Sequence, residues 1–105
     1  GQSAALGTIV KEGWLSKKGD VRRNWTRRWF VLKYGSLAYF KTQDGVHAAG
    51  RIVLVDCLVG QSTSKKANCF AITTPSKRTF LLTAANPREQ AEWMQAIQGC
   101  IETSF

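Results

Sequence analysis

The sequence predicts a mainly-β domain, with about seven short antiparallel strands curled into a barrel or orthogonal sandwich and one C-terminal α-helix capping an open end. Three observations lead there. Short runs rich in β-branched and aromatic residues alternate with Gly-, Ser- and Asn-containing turns along most of the chain. The hydrophobic period lengthens from two to between three and four only after Asn86. Finally, 105 residues with 44% hydrophobic content make one domain that can bury a single core without disulfide staples.

The elements follow in order. Ile9–Lys17 carries β-formers around Gly13. Arg27–Tyr34 reads Arg-Arg-Trp-Phe-Val-Leu-Lys-Tyr, and Gly35-Ser36 is a Gly-X hairpin turn leading into Leu37–Lys41. Gly50–Val55, a short strand over Cys57–Val59, Asn68–Thr73 and Arg78–Thr83 complete the set. Gln43-Asp44-Gly45, Gly60–Lys66 and Thr74–Lys77 read as turns and loops, and His47 as a loop residue. Asn86-Pro87-Arg88-Glu89 then supplies an N-cap, a proline at the first helical position and an acid at the capping-box position. Trp93, Met94, Ile97, Cys100 and Ile101 recur on one face of the helix that follows, a core face of about four turns. Open strand edges and one capped end leave the opposite end rimmed by loops, the place for a ligand.

Several function classes are excluded. No apolar run approaches the ~20 residues of a membrane span, and no signal peptide opens the chain. Cys57, Cys69 and Cys100 form no C-x-x-C pair and stand beside apolar residues, as reduced core thiols of a cytosolic protein do. His47 is the sole imidazole, so a metal site is not expected, and no cofactor is implied. No nucleophile–base set and no phosphate-binding Gly-x-x-x-x-Gly-Lys loop is present, so the chain is not expected to be an enzyme.

Charge is unevenly placed. The formal charge is +8, and residues 11–51 hold ten of the 15 Lys and Arg against three acids. Such a confined imbalance points to an anion-binding face. Parity locates it. Lys17 shares a strand face with Leu15, and Arg28 with Phe30 and Leu32. With Leu15 paired to Phe30 in the core, Lys17 stands opposite Arg28, two cations about 5 Å apart at the barrel mouth, tolerated when an anion lies between them. Removing either should then slightly raise thermal stability without ligand. Arg78 shares its face with Phe80 and Leu82, and Tyr39 and Lys41 share theirs with Leu37; a Gly35-Ser36 turn sets Tyr39 opposite Leu32. Lys18, Arg22 and Arg23 stand in or beside the loop joining the first two strands, within reach of a ligand or membrane, with Val21 at its tip.

Glu12-Gly13-Trp14-Leu15-Ser16-Lys17-Lys18-Gly19 followed by Trp25-Thr26-Arg27-Arg28-Trp29-Phe30-Val31-Leu32 resembles the opening of a pleckstrin homology (PH) domain. Leu37-Ala38-Tyr39-Phe40, Asn68-Cys69-Phe70 and Glu92-Trp93-Met94-Gln95-Ala96-Ile97 fit its third strand, sixth strand and closing helix, and the stretch from Gly50 to Leu54 together with the closing helix most resembles pleckstrin-type domains. The resemblance implies a seven-stranded, two-sheet antiparallel barrel capped by the C-terminal helix. The domain is expected over residues 9–102, with 1–8 an N-terminal tail or cloning remnant and 103–105 a C-terminal tail.

The resemblance also implies a ligand. Members that bind 3-phosphorylated phosphoinositides carry a Lys, a variable loop, Lys/Arg-x-Arg and then a Tyr; Lys17, Arg28 and Tyr39 match. Arg78 is similar to the phosphate-contacting Arg of protein kinase B-type domains. Thr26 departs, standing where the pattern has Lys or Arg, and Ala49 stands where a further basic residue often precedes the fourth strand, with Arg51 near but shifted. The expected function is membrane targeting through phosphoinositide headgroups or inositol phosphates, in a cytoplasmic protein recruited peripherally. The departures predict weak isomer selection, with Arg22 and Arg23 compensating from the loop. An adaptor domain that docks a protein partner is the alternative. Nucleic-acid binding is disfavoured, because Trp29 is expected to pack rather than stack on bases.

Overall fold

The computed structural model describes residues 7–19, 24–62 and 64–104. Seven strands precede one helix: β1 (Ile9–Lys18), β2 (Trp25–Lys33), β3 (Ser36–Phe40), β4 (Gly50–Val53), β5 (Leu58–Gln61), β6 (Cys69–Thr73), β7 (Thr79–Thr83) and α1 (Pro87–Cys100). They form one antiparallel sheet in the order β4-β3-β2-β1-β7-β6-β5. The seven-strand count and the terminal helix are as the sequence predicts. The edges β4 and β5 do not pair with each other among the described residues, so hydrogen bonds do not close the barrel.

β1 is the shared strand. It pairs with β2 along its length but with β7 only through Ser16–Thr83 and Lys17–Leu82. The sheet therefore divides into a β1–β4 half and a β5–β7 half joined at the Lys17 end of β1. The inward rows bring Leu15, Phe30, Leu32, Leu37, Phe70 and Leu82 together, all nearly inaccessible.

Two registers differ from the sequence expectation, each by two residues. Phe30 lies opposite Gly13, and Leu15 opposite Arg28. Gly13 lies against the helix, where a Cβ would sit 3.5 Å from the Trp93 ring, in ordinary van der Waals contact. The β2–β3 turn is Tyr34-Gly35 rather than Gly35-Ser36: Lys33 pairs with Ser36, and Gly35 adopts φ 82, a conformation suited to glycine. Both shifts are even, so every side chain keeps its expected face.

The helix begins as its sequence signals. The Glu89 backbone N–H donates to Asn86 Oδ1 at 2.8 Å, and the Glu89 carboxylate accepts from Asn86 Nδ2 at 3.1 Å. Trp93, Ile97 and Cys100 are buried, while Met94 and Ile101 pack half-buried against the core. The helix is tied down at both ends. Gln90 Nε2 donates to the Cys69 carbonyl at 2.8 Å, and the Gly35 N–H donates to the Cys100 carbonyl at 2.8 Å. No helix among the described residues is long and apolar enough to cross a membrane. Cys57, Cys69 and Cys100 are buried free thiols; burial pushes those of Cys57 and Cys100 up, with the nearby Asp56 charge adding at Cys57.

Candidate functional site

The strand alternation that builds the core also builds the site. Past Leu15 the inward row of β1 continues to Lys17, and before Phe30 the inward row of β2 holds Thr26 and Arg28. These positions lie at the end of the sheet where β1 and β2 are joined and where β3 and β7 approach. The inward row thus turns from apolar to cationic at the mouth.

Lys17 and Arg28 are not directly opposed, which corrects the expectation of a like-charge pair. Lys17 faces Thr26, whose Oγ1 donates to the Lys17 carbonyl at 3.4 Å. Arg28 stands diagonal to Lys17, a separation of roughly 7–8 Å for such neighbours. The expected stability gain on removing either cation loses its basis. The wider gap is better suited to a bulky anion spanning both cations than to a single small ion.

The turn correction moves Tyr39 toward the site. It pairs with Phe30 rather than Leu32, and the two rings lie 5.3 Å apart. Lys17 Nζ lies 5.2 Å from the Tyr39 ring centre and 6.0 Å from that of Phe80, so the ammonium is held between aromatic faces from β3 and β7. Tyr39 in turn crosses its register partner Gly50, where a Cβ would overlap the phenol.

Arg78 precedes β7 rather than opening it, and its guanidinium stacks 4.3 Å from the Phe80 ring centre. Lys17, Arg28, Tyr39 and Arg78 are thus arranged around one mouth. Arg28 Nη1 donates to the Arg27 carbonyl at 2.9 Å. Among the described residues, Lys17 and Arg28 have no carboxylate partner, whereas Lys11 pairs with Glu92 at 3.8 Å.

Other sequence-expected residues lie elsewhere. Lys18 faces outward opposite Trp25, and Arg51 faces outward opposite Ala38, so neither shares the inward row. Arg22, Arg23 and Val21 lie outside the described residues. The base of their loop is closed by the Gly19 N–H, which donates to the Asn24 carbonyl at 2.9 Å. Ala49 is exposed, and its N–H donates to the Tyr39 carbonyl at 2.8 Å.

Two residues enter the site that sequence reasoning left without a role. Phe80 carries both Lys17 and Arg78 on its ring. Lys41 follows Phe40, the partner of Trp29, so its position falls beside Arg28. Parity gives Lys41 the face of Tyr39, but only the turn register brings it level with Arg28. Among the described residues, no three His, Cys, Asp or Glu side chains gather as metal ligands would.

Residues 9–102 match the family described as the PH domain. The chain belongs to the PH domain family. Differentially expressed in FDCP 6 homolog from Danio rerio is 39% identical over 99 residues, covering 91% of this chain. Switch-associated protein 70 from Mus musculus is 35% identical over 95 residues, covering 89%. This chain spans only 16% of the length of each. Among solved structures, the crystal structure of the carboxyl-terminal PH domain of pleckstrin superposes with TM-score 0.83 at 35% identity, covering 91% of this chain and all of that one. The same pleckstrin domain in complex with D-myo-Ins(1,2,3,5,6)P5 also gives TM-score 0.83 at 35% identity, covering 90% of this chain and 97% of that one. In the PH domain described here, the cationic mouth lies where the β1–β2 hairpin opens.

Proposed function

We propose that this PH domain binds phosphoinositide headgroups in the mouth framed by Lys17, Arg28, Tyr39 and Arg78, and so brings the protein that carries it from the cytoplasm to anionic membranes. One observation carries the reading: Lys17 and Arg28 project on one inward face at the open end, spaced for a polyphosphorylated ring and without a carboxylate partner among the described residues. Two half-exposed cations on one face, without acids to neutralise them, attract an anion to the space between them. A phosphomonoester carries roughly −1.5 to −2 charges near neutral pH, and charge-assisted hydrogen bonds from Lys and Arg suit it. The pleckstrin domain solved with an inositol pentakisphosphate, 35% identical to this chain, supports the same ligand class here.

The 3-phosphorylated headgroups are the proposed class, from the match of Lys17, Arg28 and Tyr39 to the family pattern. Thr26 donates to backbone rather than offering a cation, so isomer selection is weak. Arg22, Arg23 and Lys18 add attraction of about 1 kcal/mol each near an anionic leaflet. Co-sedimentation with vesicles containing each phosphoinositide in turn tests the reading. Vesicles with adjacent 3- and 4-phosphates should retain the most protein. Equal retention by phosphatidylserine vesicles without any phosphoinositide would contradict it.

A further inference from the structure

An antiparallel sheet with one face on the core ordinarily presents polar residues on the other. The outer face of β1–β3 does not. Trp14 pairs with Trp29 and Trp29 with Phe40, so three half-buried aromatic residues cross three strands in one row about 10 Å long. The two indoles meet edge to face at 5.3 Å and 75°. The core does not use this row, because α1 buries Trp93, Ile97 and Cys100 on the inner side.

Cations border the row. The Arg27 guanidinium lies 4.6 Å from the Trp14 ring centre, and Arg27 has no carboxylate partner among the described residues. Lys18, Arg27, Lys33 and Arg51 all take outward positions on β1, β2 and β4, against one outward acid, Glu12. Beside Trp14 and Arg27, a cavity of about 300 Å³ opens between Ser16 and Thr83–Ala85. A socket walled by the Trp14 ring and Ala84–Ala85, with Ser16 and Thr83 at its polar side and a stacked arginine beside it, suits the tryptophan and arginine contacts that anchor protein interfaces.

We propose that this outer face docks an acidic protein segment bearing a large apolar anchor, with the anchor in the cavity beside Trp14 and carboxylates on Arg27 and Arg51. Charge complementarity selects acids, and the cavity selects the anchor. The position selects protein over bilayer. Arg27 lies only two residues behind the Lys18–Trp25 pair at the mouth, but the aromatic row lies four residues, or about 13 Å, behind it and Arg51 further still, deeper than the 5–10 Å that interfacial side chains reach. The face lies across the sheet from Lys17 and Arg28, so an occupant leaves the mouth free, and one domain reads a headgroup and a protein together. This proposal stands independently of headgroup binding.

The test titrates the ¹⁵N-labelled domain with a short synthetic peptide carrying one central phenylalanine among aspartates and glutamates. Saturable shifts are expected at the Trp14 and Trp29 indoles and at Arg27, with Lys17 and Arg28 unmoved. Arg27→Glu and, separately, Arg51→Glu exchange exposed side chains and keep the fold; each should weaken the peptide at least about tenfold, while Arg28→Ala leaves it unchanged. Shifts confined to the mouth, equal binding of a peptide with alanine in place of phenylalanine, or no saturable binding would each overturn the proposal. Phosphatidylserine vesicles form the second arm. A larger loss of sedimentation from Arg27→Glu than from Arg28→Ala would make this face a membrane surface and would also overturn it.

Discussion

Tyr39 lies across Gly50, its register partner on β4, so closely that Gly50 admits no side chain. The glycine holds open the space in which the Tyr39 ring turns toward Lys17, 5.2 Å away. A residue outside the basic motif therefore positions a residue within it.

Gly50→Ala should accordingly displace the Tyr39 ring. Overpacking of this kind costs about 1–3 kcal/mol. Urea denaturation should report that loss, and calorimetric titration with a soluble inositol phosphate should report weaker binding. Unchanged affinity with lowered stability would mean that Tyr39 supports the fold and not the ligand.

Thr26→Lys offers the opposite outcome. Residue 26 faces Lys17 on the inward side, where the family pattern places a cation. A new charge-assisted hydrogen bond is worth roughly 1.5–3 kcal/mol before ordering costs, so affinity for a headgroup with adjacent phosphates should rise about tenfold. The same change sets two ammonium groups directly opposite each other and should lower ligand-free stability by up to about 1 kcal/mol. Titration calorimetry and thermal melts of the variant check both halves.

How much of this was legible in the sequence depends on which property a pattern encodes. Alternation assigns faces, and the inward positions of Leu15, Lys17, Phe30 and Tyr39 were readable from parity alone. Register was not. A two-residue slip leaves every side chain on its expected face, so the pattern does not distinguish Leu15 opposite Phe30 from Leu15 opposite Arg28. Register is set by tertiary packing, in which Gly13 of β1 comes to lie beside Trp93, eighty residues away in the chain. The helix was readable to its N-cap, because Asn86, Pro87 and Glu89 act locally; its end at Ile101 was not. The outward aromatic row was present in the sequence as Trp14, Trp29 and Phe40, but only pairing shows that the three stand side by side.

Asp56 gives a prediction in acid. The Ser104 hydroxyl and then the Ser104 backbone N–H donate to its carboxylate and hold its pKa below the ordinary 3.8. A depressed folded-state pKa contributes stability that is full above the unfolded value and disappears as pH falls through the folded one. Ser104→Ala should therefore raise the Asp56 pKa, and its stability should converge on wild type at low pH. A carboxyl NMR titration of both proteins checks this; identical Asp56 curves would mean that the Ser104 contact is not made in solution.

The most direct measurement is calorimetric titration of a soluble 3-phosphorylated inositol headgroup into wild type, Lys17→Ala and Arg28→Ala, each first verified as folded by its amide NMR spectrum. The account predicts a saturable wild-type isotherm that weakens with added salt, as screened charges require, and loss of at least about tenfold in affinity in each variant. Wild-type affinity in either folded variant would contradict a headgroup site at Lys17 and Arg28.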